Sequence, residues 1–424
     1  MKKISVIGFG KIGQAVAANI LKHGIEVNAV DIDESLPPLF TNSGFRSNEP
    51  GLEDILNKAF TNKVLSVSSD FTTIQGSIAI IVAIPLLIDD NKQVLSKPFL
   101  DTMKNLEPGL ADDAVVVVET SLPVGFSRHS ILPAIESTGK KHGSDFWLAH
   151  SPERIKSGTM LHQLTKVPKV IGGLTTDDTE KAYEVYRLFF DDKLLHRVES
   201  VEAAEMLKLA GMIYRDINIA LSNQLARFAN SKGIDYASLI PLINTDGEAG
   251  LLQPGIGVGG HCTPVYPYFL IENFRQEGLD FSLALQGRMI NNQMANYAVS
   301  LVNDKVQNKR ALILGLGFRP NVKEDSLSTT YLLHEVLTKS GYQVLVHDTE
   351  YTLDEVRQKG FEPSADIYSS GAEVVFLVTM HREYHDLDLK RLSESGARYF
   401  VDGRNSIDKS RVLQSGMEYF GIGH

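Results

Sequence analysis

Lys3-Ile-Ser-Val-Ile-Gly-Phe-Gly-Lys-Ile-Gly13 decides the fold class of this chain. Ile4–Ile7 has the character of a short buried strand, and Gly8, Gly10 and Gly13 follow it at once. Apolar residues at Ala15, Ala18, Ile20 and Leu21 predict a helix, and Glu26–Val30 predicts a second strand ending at Asp31. A glycine motif alone is weak evidence. Strand, glycine turn, helix, strand and acid in that order form the context a dinucleotide fingerprint requires. The glycines permit a tight turn and the close approach of a pyrophosphate. The helix N-terminus offers that anion its N–H groups and the positive end of its dipole. The expectation is NAD held along Gly8, Gly10, Lys11, Ile12 and Gly13. Asp31 would take the ribose 2′-hydroxyl and repel a 2′-phosphate, which favours NAD over NADP.

Further apolar runs follow. Ser77–Ile84 ends at Pro85, Ala114–Val118 ends in Glu119-Thr-Ser-Leu-Pro-Val-Gly125, and Trp147–Ala149 ends in Ser151-Pro-Glu-Arg154. Such runs, alternating with helices, indicate a parallel sheet covered on both faces. Ligands collect beyond the carboxyl ends of these strands, which makes Ser121, Glu153 and Arg154 candidates for a site. Each is equally readable as a helix cap or a surface ion pair.

Glu202–Ala229 holds no proline and one internal glycine, with apolar residues at helical spacing through Leu209, Ile213, Ile217, Ala220 and Leu221. It predicts one helix on the order of 40 Å long, a bridge between domains and a dimer surface. Lys208 sits among its apolar neighbours, either snorkelling to water or aimed at a substrate charge. Beyond it, Lys309-Arg-Ala-Leu-Ile-Leu-Gly-Leu-Gly317 repeats the opening pattern, and Tyr342–Asp348, Glu373–Val378 and Tyr399–Asp402 supply further strands. This half-repeat lacks the third glycine, because Pro320 follows Arg319. It therefore reads as a second α/β domain that binds a nucleotide less conventionally, with Arg319 and Val401-Asp-Gly-Arg-Asn405 meeting phosphates or ribose.

The architecture expected is α/β: two Rossmann-like domains, 1–196 and 301–424, joined by a helical dimerisation domain over 197–300. The 424 residues carry a net charge of −10, which argues against a general nucleic-acid binder. No 18-residue apolar run is present, so no membrane insertion is expected. The one cysteine excludes an intramolecular disulfide framework and fits a reducing cytoplasm. It lies in Pro254-Gly-Ile-Gly-Val-Gly-Gly-His-Cys-Thr-Pro-Val-Tyr-Pro-Tyr-Phe-Leu270, after four glycines in six positions. A free cysteine is commonly a small buried hydrophobe. On a glycine loop it is also a thiol that can be presented to a substrate.

In this order, the segments resemble the UDP-glucose/GDP-mannose dehydrogenase family over nearly the whole chain. The fingerprint, Thr120–Gly125, Ser151–Arg154, Pro168-Lys-Val-Ile-Gly-Gly173, the Lys208 helix and Gly257-Val-Gly-Gly-His-Cys262 all carry the likeness. The glycine loop and Tyr214-Arg-Asp-Ile-Asn-Ile-Ala220 are similar to the branch acting on UDP-N-acetylhexosamines, notably UDP-N-acetylmannosamine. The resemblance implies that a sugar C6 alcohol is oxidised to a carboxylate with two NAD+, the aldehyde being held by a cysteine as thiohemiacetal and thioester. It implies Cys262 as nucleophile, Lys208 as oxyanion stabiliser, Glu153 in proton transfer or water orientation, and Ser121 beside cofactor and site water. It further implies cofactor contacts at Pro85 and Ser121, and substrate contacts at Glu153, Arg154, Lys208, Gly259, Phe318 and Arg319. A homodimer is implied, and no metal.

Four positions depart from the family pattern. Met212 stands where the family has an oxyanion-donating Asn, and Tyr266 where it has an Asp partner for proton transfer. Glu248 stands where the hexosamine branch has an Arg that reaches the neighbouring subunit, and Ser326 falls in the cluster that holds a cofactor-contacting Arg. These departures leave open a different nucleotide sugar, a single oxidation step, or a non-catalytic nucleotide-sugar binder. A 3-hydroxyacid dehydrogenase of similar build is a further alternative, one that needs no cysteine.

Overall fold

The computed structural model describes residues 2–89, 91–110 and 113–424. The chain forms two compact units, Met1–Gly211 with Tyr268–Asn273, and Met212–Pro267 with Phe274–His424.

The strands of the first unit are β1 (Lys3–Ile7), β2 (Glu26–Val30), β3 (Leu65–Ser68), β4 (Ala79–Val82), β5 (Ala114–Val118), β6 (Phe146–His150), β7 (Lys169–Gly173) and β8 (Leu195–Arg197). They form one sheet in the order β3-β2-β1-β4-β5-β6-β7-β8. The first six follow the strand order of a dinucleotide-binding fold. Every residue of β4 and β5 is buried, as central strands covered on both faces require. The sheet departs from the parallel arrangement expected at one edge. There β7 runs antiparallel to β6, pairing Ala149 with Gly173 and His150 with Gly172, and β8 runs parallel to β7. A parallel neighbour needs a crossover that carries the chain back along the strand, usually a helix. The helix in this link, Met160–Gln163, has four residues.

The second unit contains β9 (Arg310–Leu314), β10 (Gln343–His347), β11 (Glu362–Pro363), β12 (Val374–Leu377), β13 (Tyr399–Asp402) and β14 (Glu418–Gly421). Their order, β11-β10-β9-β12-β13-β14, repeats that of the first six strands of the other unit, and every pairing is parallel. The partial repeat in the sequence is therefore a complete second copy of the topology.

The long helix spans Val201–Lys232, 32 residues, or about 48 Å at ~1.5 Å per residue. It begins in the first unit and ends in the second. In its last turns Ala226 and Ala229 join Tyr236, Ile240, Met294 and Ala298 in one core with Ile313, Val346 and Phe376 of the second sheet.

Candidate active site

In the first unit, the chain leaves β1 through Gly8, whose φ of 89° is a left-handed conformation, and Gly8 N donates to Val30 O at 2.8 Å. The helix Lys11–Lys22 starts at once, and no side chain caps it. Asp31 lies at the lip of this turn. Its carboxylate accepts from Phe9 N at 2.6 Å and from Asp33 N at 3.0 Å. A Cβ built on Gly10 meets nothing within 4 Å, so the space above the turn is open. An uncapped helix start, open space over its turn and a carboxylate at the rim fit a dinucleotide. Lys11 is exposed, Ile12 is half-buried and Gly13 is buried under the turn.

The ends of the neighbouring strands complete this edge. Pro85 is exposed beyond β4, and Thr120 Oγ1 donates to Ile84 O at 2.5 Å, tying the segments after β4 and β5 together. Ser121 is buried, and its hydroxyl has no hydrogen-bond partner among the described residues. The loop after Ser121 is anchored by Glu205 of the long helix, whose carboxylate accepts from Gly125 N at 2.6 Å and Ser127 N at 2.9 Å. Burial pushes the Glu205 carboxyl up to about 7, against the pull of those amides.

Glu153, beyond β6, is buried. Its Oε2 lies 2.6 Å from Lys169 Nζ, and its Oε1 accepts from Arg154 N at 2.6 Å and Ile155 N at 3.0 Å. Lys169 Nζ also lies 2.7 Å from Glu119 Oε1. Burial alone would raise both carboxyls. Lys169 and the Arg154 amide outweigh it at Glu153, which is held below the usual carboxylate range, whereas burial prevails at Glu119. Lys208 Nζ donates to the main-chain oxygen of Glu153, so the structure brings these two expected site residues together. His150 beside them is held neutral, its imidazole lowered to about 3 by burial and by Lys208. Arg154 is exposed.

The glycine loop belongs to the second unit. Its glycines pack rather than flex. A Cβ on Gly259 would stand 2.8 Å from Phe318 Cβ and 3.0 Å from Leu327 O. Gly260, at φ 107°, donates its N–H to Ser326 O at 2.9 Å. The His261 ring meets Phe318 edge-on at 6.1 Å between centroids. Gly259, Phe318 and Arg319, all expected substrate residues, thus cluster here, with the Arg319 guanidinium 5.7 Å from the Phe318 ring. Cys262 is half-buried, and its carbonyl accepts from Val265 N at 3.1 Å and Tyr266 N at 2.9 Å where the helix Tyr266–Gln276 begins. The base of the loop is held by a buried polar chain. Gly255 N donates to Asn223 Oδ1 at 2.9 Å, Asn223 Nδ2 to Asn291 Oδ1 at 2.9 Å, and Asn291 Nδ2 to Asp216 Oδ1 at 2.8 Å. Asp216 also pairs with Arg288 at 2.6 Å.

The second glycine turn differs from the first. Asp348, buried, accepts from Leu316 N at 2.6 Å and Gly317 N at 2.9 Å, with His381 Nε2 at 3.0 Å. Asp31 takes Phe9 N in the first turn in the same way, but it is half-buried, whereas Asp348 is buried and also meets His381. Asp402 is likewise committed inward, to the amides of Arg404, Ser406 and Ile407. Arg404 Nε donates to Val378 O at 2.7 Å. Of the departures, Met212 and Tyr266 are half-buried, Glu248 is exposed, and Ser326 serves through its carbonyl. Glu119, Lys169, Glu205 and the Asp216–Arg288 pair escaped the sequence reading. Their one signal is a charge set within an apolar run, which names no partner. Among the described residues, no group of three or more His, Cys, Asp or Glu could hold a metal ion, and no helix is long and apolar enough to cross a membrane.

Two Rossmann sheets, one with an uncapped helix behind its fingerprint turn and one with its turn beside a cysteine loop, define a nucleotide-dependent oxidoreductase. The family models agree: the NAD binding domain of the UDP-glucose/GDP-mannose dehydrogenase family matches residues 2–190, its central domain 202–293 and its UDP binding domain 312–409. The chain belongs to this family and is an NAD-dependent UDP-sugar dehydrogenase. It is 26% identical to the UDP-N-acetyl-D-mannosamine dehydrogenase of Methanococcus vannielii, over 99% of this chain and 96% of that one. It is 28% identical to the enzyme of that name from Pyrococcus horikoshii, over 99% of each chain. The solved structure of UDP-D-ManNAc dehydrogenase from Pyrococcus horikoshii superposes with a TM-score of 0.88 at 26% identity, covering 99% of each chain.

Proposed function

We propose that the chain oxidises C6 of a UDP-N-acetylhexosamine, UDP-N-acetylmannosamine foremost, to the uronate, with Cys262 as the covalent catalyst. The likeness to dehydrogenases of that name over almost the full length supports the substrate. The observation that carries the site is the Cys262 loop of the segment matching the central domain, packed through Gly259 against Phe318 and Leu327 of the segment matching the UDP binding domain.

Bound NAD+ supplies the hydride acceptor, once for each oxidation. The chain's residues do the rest. Lys208 supplies the positive charge that stabilises the oxygen on which negative charge develops. Ser121 offers its unpartnered hydroxyl to cofactor and water. Glu153, whose carboxylate is turned inward to Lys169 and so is not at hand for the proton transfer or water expected of it, holds Lys208 through its carbonyl oxygen. Loss of a hydride and a proton turns the C6 alcohol into an aldehyde. The Cys262 sulfur bonds to that carbon, and the thiol proton passes to the oxygen. A second loss of hydride and proton leaves a thioester, which water cleaves to release the carboxylate and regenerate the thiol. Arg319 and Arg404 meet the diphosphate or ribose. NAD is bound along Gly8, Gly10, Lys11, Ile12 and Gly13, with Asp31 on the ribose and Pro85 beside the ring.

A homodimer is part of this proposal. Tyr214, Leu221, Leu225 and Phe228 recur at helical spacing on the long helix with 63%, 48%, 37% and 60% of their surface exposed. An apolar stripe of that extent calls for a partner, and a second copy presents the same stripe. A cytoplasmic setting keeps the single thiol reduced.

The test is NADH released per sugar with UDP-N-acetylmannosamine. Two NADH per sugar are expected, and at most one from Cys262→Ser. Full turnover by Cys262→Ala would overturn the assignment. A single NADH from the native chain favours the shorter reaction. Met212, one turn beyond Lys208 with a thioether that cannot donate a hydrogen bond, is the feature that favours it.

A further inference from the structure

The ammonium of Lys169 is buried between two carboxylates and beside two aromatic rings of the first unit. Glu119 Oε1 lies at 2.7 Å and Glu153 Oε2 at 2.6 Å, and the rings of Tyr186 and Phe190 have their centroids at 5.4 and 5.8 Å. The lysine and both carboxylates are buried. Two carboxylates removed from water beside each other repel, and the cation between them is what makes the arrangement tenable. Glu153 is gripped at three points: its carboxylate by Lys169 and by the amides of Arg154 and Ile155, its main-chain N–H by Glu119 O at 3.0 Å, and its main-chain oxygen by Lys208. The Glu153 carboxylate thus points into the protein, and its carbonyl oxygen is the atom that meets the Lys208 ammonium.

We propose that Lys169 and Glu119 are positioning residues for the oxidation, fixing Glu153 so that its carbonyl oxygen aims Lys208. The inference rests on the reading of Lys208 as the oxyanion stabiliser. A misplacement of a catalytic group by about 1 Å costs on the order of 10²-fold in rate. The other ionisable groups facing the cluster are Tyr186, whose hydroxyl donates to Glu119, and His150 and Lys208 on its other sides.

The test uses full-length Lys169→Gln with UDP-N-acetylmannosamine and NAD+. Loss of the cation leaves two carboxylates that share one proton at low pH and repel once it has left. In this variant kcat should fall ~10–100-fold, more steeply as pH rises, with KM and NAD affinity within about threefold of the native values. Lys169→Gln/Glu119→Gln removes the repulsion between the two carboxylates, leaving Glu153 to the Arg154 and Ile155 amides, and should fold where the single variant does not. Its kcat should fall about tenfold without the added pH dependence. Native kcat with a native pH profile in either folded variant overturns the proposal. So does a loss shared equally by kcat, NAD affinity and melting temperature, which marks a purely structural role. Lys208→Met separates the two levels. If it keeps full turnover, the reading of Lys208 fails. If it abolishes turnover while both Lys169 variants stay native, only the positioning inference fails.

Discussion

Gly13→Ala and Gly10→Ala are expected to damage the fingerprint in opposite ways. A Cβ on Gly13 would stand 1.9 Å from Gly8 O and 3.0 Å from Gly8 C. Carbon and carbonyl oxygen in contact sit at ~3.3 Å or more, so the turn or the helix must move by about 1.4 Å. Overpacking of this kind costs roughly 1–3 kcal/mol. In a unit of this size that lowers its melting temperature by about 2–12 °C. NAD affinity should fall as well, because the displaced amides are those proposed to meet the pyrophosphate. Gly10 has φ −71° and ψ −170°, open to any residue, and a Cβ there meets nothing. The poorer N-cap and the stiffer unfolded chain nearly offset, leaving melting within about 2 °C. The methyl group instead projects into the space above the turn and should weaken NAD by ~10–100-fold. Calorimetric melting without cofactor, followed by isothermal titration with NAD, reads the two effects separately. Unchanged melting of Gly13→Ala, or full NAD affinity of Gly10→Ala, would refute this account of the turn.

Asp31→Ala removes an acceptor of charge-assisted hydrogen bonds, so NAD affinity should drop ~10–100-fold and preference over NADP should shrink; binding titrations with both cofactors check this. Glu205, raised to about 7, keeps a proton in the fold that the unfolded chain has released above the ordinary 4.5. The unfolded chain binds fewer protons in that window, so this contribution to stability is full below about pH 4.5 and is lost as pH rises through 7. Melting temperatures from acid to neutral pH should therefore fall less for Glu205→Gln than for the native chain, and parallel curves would contradict the assignment. Phe228→Glu should convert the proposed homodimer to a monomer in light scattering, whereas a dimeric mass unchanged by the substitution would place the interface elsewhere, and a monomeric native chain would refute the dimer itself.

The sequence by itself determined what local chemistry can encode. The first glycine turn, β5, the extent of the long helix to within a few residues and the presence of a second Rossmann copy were all legible, because tight turns, buried runs and helical spacing leave signatures within a few neighbouring residues. The edge strands were not. In β3, Leu-Ser-Val-Ser alternates polar residues, and β7 opens on a lysine and closes on two glycines, so neither shows a sustained apolar run. Only tertiary structure decided which charges meet. Lys169 and Glu153 are 16 residues apart, Arg288 and Asp216 72 apart, and each pair forms because separate strand ends or helices converge. The same holds for the two glycine turns. Both are followed by a strand and an acid whose carboxylate accepts from the amide after the first glycine, Phe9 N for Asp31 and Leu316 N for Asp348, yet Asp31 is half-buried while Asp348 is buried against His381. The difference lies in what covers each carboxylate, and long-range packing, which brings His381 to Asp348, sets it.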